Sequence, residues 1–372
     1  MLARIYSDDS TRLAEARKHA EAAVAQNSDS PSLVEFCVEL AVRANDIPAA
    51  EKHLASLDVM DPGGLKVLQM RARVLAKSGK PAEAAAVVER YIERLKVASQ
   101  LDAQREAESV NQARNLLVFM VQLGPFDQVE ASCRKVAGLW PRLTHVMAPA
   151  VVALGRVDEG LAMLRKGAEN GDWREATINS VNMATSNAND ARIAKTADEL
   201  IEESLKRLPN QIDVLQAKAF LKHKQRKFEE ELETYSLIRK INPQDVRFLN
   251  NLAWTMAENL QRYDDGLKVI DEAIGRIGRR PSFLDTRGVI LTRMGRYKDA
   301  IADLEAAREA ATIISDGQPL GAIHFHLARA YLLDGQADKA KEMIADGKKL
   351  GLSDSQIEPS EMDDYRKLTA SR

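Results

Sequence analysis

Met294-Gly-Arg-Tyr-Lys-Asp-Ala300 and Asp334-Gly-Gln-Ala-Asp-Lys-Ala340 are one pattern written twice. In each copy a glycine is followed two positions later by Tyr297 or Ala337, and five positions later by an alanine. Another small residue, Gly288 or Ala328, stands twelve positions before that alanine. Glycine accepts a left-handed backbone and so ends a helix. Small residues inside an apolar stripe let two helices approach closely, where larger ones would overpack at ~1–3 kcal/mol. The pattern therefore reads as two antiparallel helices joined by a tight turn.

Worked outward, the small residue of the second helix recurs at Ala50, Ala84, Val129, Gly160, Ala197, Glu231, Gly266, Ala300 and Ala340. The spacings are 34, 45, 31, 37, 34, 35, 34 and 40. A period near 34 signals stacked helical pairs, each unable to bury its apolar face alone. The matching positions on the first helices read Val38, Ala72, Leu117, Ala148, Thr185, Ala219, Ala253, Gly288 and Ala328. Four residues beyond each second-helix position stands a core residue, from Leu54 and Val88 to Leu304 and Ile344, which keeps it on the same face. Pro62, Pro141, Pro209 and Pro243 close several units by blocking helix continuation.

These residues resemble the tetratricopeptide repeat family. The resemblance runs as nine units from about residue 31 to 350 and is strongest from Asn210 to Gly351. Leu215, Leu249 and Leu284 stand where the family places a tryptophan, and Leu249-Asn-Asn-Leu-Ala-Trp254 is similar to the form common in bacterial members. The resemblance implies an all-α fold, a right-handed α-solenoid superhelix of stacked helical hairpins.

The chain then divides into a partial repeat at 1–30, regular repeats at 31–100, irregular ones at 101–172, regular ones again at 173–350 and a capping segment at 351–372. Leu2, Ala3 and Tyr6 read as the end of a first helix and Leu13 to Ala23 as a second helix, so a longer protein cut within a repeat is expected. Glu361-Met-Asp-Asp-Tyr-Arg-Lys-Leu368 is expected to cap the last unit as a short helix. Strong helix formers between Ala82 and Leu123 predict two helices longer than standard. Pro149 falls inside an expected first helix, where it would kink the chain, unless the helix begins late enough to place it in the first turn.

Composition fits this reading. The 372 residues are 45% hydrophobic and 29% charged, with a net charge of −2, so no chain-wide field favours nucleic acid or an anionic membrane. Cys37 and Cys133 lie on apolar stripes and are too few for a disulfide framework. No apolar run approaches the ~18 residues that span a bilayer, so no membrane insertion is expected. Met1-Leu-Ala-Arg-Ile-Tyr6 lacks the basic region and apolar core of a signal peptide, which leaves cytoplasm and periplasm both open.

Catalytic signatures are absent from the sequence: there is no Gly-rich phosphate loop, His-Glu-x-x-His, Cys-x-x-Cys or Gly-x-Ser-x-Gly. His324 and His326 sit two apart on an expected helix and point to different faces, so they do not share a metal. No cofactor and no enzymatic activity are expected.

What the resemblance implies is a concave surface lined by first helices, on which a protein or peptide partner binds. The register used here places Arg73, Arg114, Val118, Val121, His145, Val152, Asn182, Asn250, Trp254 and Arg329 on that lining. The set does not match the family's chaperone-binding carboxylate clamp. Trp254 reads either as a binding anchor or as a ring packed sideways on a neighbouring first helix. Val118, Val121 and Val152 read either as an apolar binding patch or as displaced helices covering one another. The expected function is a non-catalytic interaction scaffold. A scaffold region of an exported envelope or secretion assembly, and a substrate-recruiting region of a larger enzyme, stay open as alternatives.

Overall fold

The computed structural model describes residues 12–27, 30–100, 103–246, 248–311, 320–357 and 361–370. Among the described residues the regular structure is helical, without a strand. The chain forms two compact units, Met1–Ser204 and Leu205–Arg372. Both are built from stacked helical hairpins.

The first unit contains α1 (Leu13–Gln26), α2 (Pro31–Arg43), α3 (Ile47–Met60), α4 (Leu65–Lys77), α5 (Pro81–Ser99), α6 (Ala103–Val121) and α7 (Phe126–Leu139). A 3-10 segment, Pro141–Met147, then leads into α8 (Ala148–Ala153), α9 (Val157–Gly167), a wide π turn at Ala168–Asp172, α10 (Trp173–Ser186) and α11 (Ala191–Arg207). The second unit holds α12 (Ile212–Lys224), α13 (Phe228–Ile241), α14 (Leu249–Trp254), a second π turn at Thr255–Asn259, α15 (Tyr263–Ile277), α16 (Pro281–Arg293), α17 (Tyr297–Ala311), α18 (Leu320–Leu333), α19 (Ala337–Lys349) and α20 (Met362–Ala370).

The turns within hairpins repeat one hydrogen-bonding device. Arg296 N–H donates to Leu291 O at 2.9 Å, Gln336 to Tyr331 at 2.8 Å and Lys80 to Leu75 at 3.0 Å. This bond across six residues satisfies a carbonyl the helix leaves open. It needs a left-handed residue just before the donor, supplied by Gly295 (φ 75°), Gly335 (φ 82°) and Gly79 (φ 78°). Arg226 (φ 58°) fills the same place without glycine, and Gln261 (φ 57°) precedes Arg262, whose N–H reaches one residue further, to Met256 O at 2.7 Å.

The small positions meet as expected. Ala50, Ala84, Ala300, Ala72, Ala148 and Ala219 are buried. A Cβ on Gly266 would lie 2.9 Å from Ala253 O, and one on Gly160 would lie 2.5 Å from Val152 Cγ2. Cys37 and Cys133 are buried and free, and burial pushes their thiols up, to about 11 and about 12. α5 and α6 are both 19 residues long, in line with the run of helix formers. Ala16 and Ala20 of α1 pack against Cys37 and Leu40. The expected first-helix end at Leu2, Ala3 and Tyr6 lies outside the described residues.

The structure chooses between the two readings of Pro149, and two other features differ from the sequence-based register. Pro149 sits in the first turn of α8, where its missing N–H costs no helical bond, so it does not kink a helix. Thr185 lies near the C-terminal end of α10 and is only half-buried. Its expected place belongs to Ser180, which is fully buried and, like Val38, Ala72, Ala219 and Gly288, seven residues into its helix. With Ser180 in that place, seventeen residues separate it from Ala197 where Thr185 had given twelve, so the extra residues lie within the hairpin, around the turn between Ser186 and Ala191. Finally, Ala253 and Gly266 are thirteen apart where the hairpins other than that of Ser180 have twelve, and the wide turn at Thr255–Asn259 takes up the extra residue.

Candidate functional site

In the second unit the first helices α14, α16 and α18 lie side by side. With α12 they frame an open pocket of about 350 Å³. Phe220 and Lys224 of α12, Asn250, Asn251 and Trp254 of α14, Thr286 of α16, and His326 of α18 line it. Gln356 and Glu361, from the segment leading into α20, form a further wall.

The wide turn after Trp254 shapes this pocket. It swings Thr255 so that its hydroxyl donates to Glu231 Oε1 at 2.8 Å. Glu231 is buried and also faces His223 Nδ1 at 3.1 Å. Asn251 Nδ2 donates to the Tyr235 hydroxyl at 3.5 Å, and burial pushes that phenol up to about 12. Asn250 Oδ1 is buried yet accepts no hydrogen bond among the described residues. Lys224 Nζ stands 5.5 Å from the centre of the exposed Phe220 ring. Trp254 is half-buried, its ring centroid 5.9 Å from that of His326, so it packs on a neighbouring first helix and lines the pocket at once.

Beyond Trp254 the charged side chains lock together. His326 presents Nδ1 to Asp285 Oδ1 at 2.7 Å and Nε2 to Glu361 Oε2 at 3.4 Å. Burial alone would lower its pKa, but the two carboxylates outweigh it and raise it to about 10, so the ring is a cation. Burial pushes Glu361 up, while His326, Arg329 and Arg293 outweigh it and hold the carboxyl below its usual value. Arg329 donates from Nη1 to Glu361 Oε1 at 3.0 Å, and its Nε lies 3.2 Å from Asp364 Oδ2. Arg293 grips Glu258, on the wide turn, through Nε at 2.8 Å and Nη2 at 2.7 Å. Tyr365 of α20 sets its ring edge-on to Phe325 at 5.5 Å. The C-terminal segment forms the helix α20, which packs on α18 and α19.

The residues named from sequence thus separate. Asn250 and Trp254 share the pocket. Arg329, 4% exposed, faces the chain's own C-terminal segment rather than an open groove.

In the first unit, Arg114 and the buried His145 meet on Asp172, at 2.7 and 2.9 Å, and Asn179 lies 2.9 Å from the other ring nitrogen. Burial raises the Asp172 pKa, but these hydrogen bonds outweigh it and hold it below its usual value. Arg73 is exposed, with its guanidinium 5.6 Å from the Phe119 ring centre. Asn182 is exposed on α10. Val118 is 41% exposed and Val121 half-buried, whereas Val152 is buried against Gly160 within its own hairpin, so the three valines do not form one patch.

Sequence reasoning missed Asp172, Glu361 and Asp364 as partners of these cations. A signal existed for the last two: Glu361, Asp364, Tyr365 and Leu368 fall on one helical face. Among the described residues no cluster of His, Cys, Asp and Glu is placed to hold a metal, and no helix is long and apolar enough to cross a membrane.

Residues 286–342 match the model of the tetratricopeptide repeat. Among solved structures, the chain is similar to yeast Tom70, at 14% identity over 94% of this chain and 83% of that one, with a TM-score of 0.43. It is similar to a tetratricopeptide repeat protein from Parabacteroides merdae, at 15% identity over 70% of this chain and 100% of that one, TM-score 0.49. It is also similar to Pseudomonas aeruginosa pilF, at 15% identity over 62% and 96% of the two chains, TM-score 0.43. No curated protein sequence matches the chain.

Proposed function

We propose, from the tetratricopeptide-repeat match at residues 286–342, that the chain is a tetratricopeptide-repeat protein and a non-catalytic scaffold whose second unit binds an extended or helical segment of a partner protein in the pocket around Trp254. Proteins of this family mediate protein–protein interactions. One observation carries the reading: a buried acceptor without a partner among the described residues, Asn250 Oδ1, stands on the same helix face as a half-buried tryptophan. A buried carbonyl left unpaired costs about 1–3 kcal/mol, which a donor on a bound chain recovers. Indole rings in partly desolvated pockets commonly dominate interface energies. The hairpins hold both groups on rigid helices, so little ordering is lost on binding.

The test is affinity capture by the intact chain from native lysate. Trp254→Ala lowers recovery of the bound partner by about tenfold or more, the effect of a residue worth over ~1.4 kcal/mol. Asn250→Ala lowers it less. Arg73→Glu, in the first unit, leaves it unchanged. A captured set indifferent to both pocket changes removes the support for this site.

A further inference from the structure

The scaffold face formed by α16 and α18 carries three cations, Arg293, His326 and Arg329, against its own Asp285 and, from the wide turn, Glu258. The surplus positive charge is met by Glu361 and Asp364 of the C-terminal segment. That segment shows which chemistry the face accepts. Glu361 and Asp364 supply carboxylates one turn apart, and Tyr365 and Leu368 bury on the same side. Its helix has only nine residues, too short to hold its shape alone in water. Glu361 and Gln356 are also walls of the Trp254 pocket, so a segment entering that pocket meets the C-terminal segment next.

We propose that Arg293, His326 and Arg329 form a seat for an acidic amphipathic helix, and that residues 361–368 occupy it as a displaceable stand-in for the equivalent helix of a partner protein. The inference rests on the reading of the first-helix face as the binding surface and names the partner's chemistry there. Vacating the seat leaves the buried Arg329 without a counter-ion and takes one carboxylate each from His326 and Arg293, which keep Asp285 and Glu258, so a segment that brings carboxylates replaces the resident one best, and neutral or basic segments are rejected. The resident helix lowers the apparent affinity for such a partner by the fraction of time the seat is open. Charge pattern thereby selects the partner, and the C-terminus sets the threshold.

The probe is a fluorescein-labelled peptide of residues 354–370, titrated into the full chain and into its Glu361→Ala/Asp364→Ala variant. The variant, with its own helix released, binds the peptide about tenfold tighter or better. A peptide carrying Glu361→Gln and Asp364→Asn does not bind it. Equal affinity of both chains for the acidic peptide, or undiminished binding of the neutral one, overturns the proposal. Hydrogen exchange on the unaltered chain gives an independent reading. The amides of residues 362–370 exchange about tenfold or more faster than those of α18 and α19, because the helix opens by itself. Exchange at the rate of α18 shows the helix to be an integral cap and overturns the proposal. A partner that depends on Trp254 but ignores the release of the C-terminal helix leaves the scaffold reading intact and removes only this one.

Discussion

Arg329 Nη1 and Glu361 Oε1 lie 3.0 Å apart, and both side chains are almost wholly buried. A buried ion pair stabilises modestly as a pair but is costly to break by halves, because the survivor stays desolvated and unpaired. Glu361→Gln is therefore expected to destabilise the second unit by about 3 kcal/mol, the lower end of the range for such a loss, since Arg329 keeps Asp364 nearby. Arg329→Met with Glu361→Gln recovers part of that loss. Urea unfolding followed by circular dichroism checks both, and strictly additive single changes would contradict the pairing.

The same cluster sets a pH dependence. His326 has a folded pKa near 10, above its usual 6.5. Its contribution is therefore complete below pH 6.5 and is lost as pH climbs toward 10. Glu361 is shifted the other way, below 4.5, so its contribution is present above that pH and fades as acid protonates the folded carboxyl. Thermal stability is expected to decline between pH 6.5 and 10 in the native chain. Replacing the ring by His326→Gln removes that alkaline decline. Melting curves across this window decide it, and a decline that persists in the variant places its origin elsewhere.

Two glycines of α15 make a matched pair. A Cβ at Gly266 would lie 2.9 Å from Ala253 O and 3.2 Å from Ala257 Cβ, whereas one at Gly275 meets nothing within 4 Å. Gly275→Ala is expected to stabilise by ~0.5–1 kcal/mol through helix propensity. Gly266→Ala is expected to destabilise by ~1–3 kcal/mol, because a backbone oxygen cannot move aside without separating the hairpin. Chemical denaturation of the two variants gives opposite signs if the helices meet as described.

Gln261 holds a left-handed backbone, φ 57°, at the turn into α15, and its side chain is exposed. A non-glycine residue pays ~1–2 kcal/mol in that conformation, while glycine loses ~0.5–1 kcal/mol of chain entropy on folding. Gln261→Gly is expected to raise stability by roughly 0.5–1 kcal/mol, the difference of those terms. Gln261→Ala, with the same backbone demand, gains nothing. An equal gain from both would show that the side chain, not the backbone, was the source of strain.

Much of the hairpin geometry was legible because it depends on local residues. Gly295 and Gly335 mark turns that any helix end of this kind requires, and Ala84 and Ala300 mark close approaches that larger residues would block. The register failed at Thr185 because counting by a fixed period assumes hairpins of constant length, and this one holds seventeen residues from Ser180 to Ala197 in place of twelve. At Ala253 and Gly266 the same kind of insertion was visible as thirteen residues in place of twelve, yet its consequence, the placement of Thr255 on Glu231 and Glu258 beneath Arg293, was not.

Sequence alone determined that this chain is a series of helical hairpins and where most of them turn, because helix ends, small contact residues and apolar stripes are encoded within a few residues of one another. It also placed Asn250 and Trp254 on one helix face. Only the tertiary structure decided that Trp254 opens onto a pocket while Arg329 is covered. Exposure and ionisation depend on what packs against a face from elsewhere in the chain. For Arg329 and His326 that neighbour, Glu361, is more than thirty residues away and is brought there by the fold.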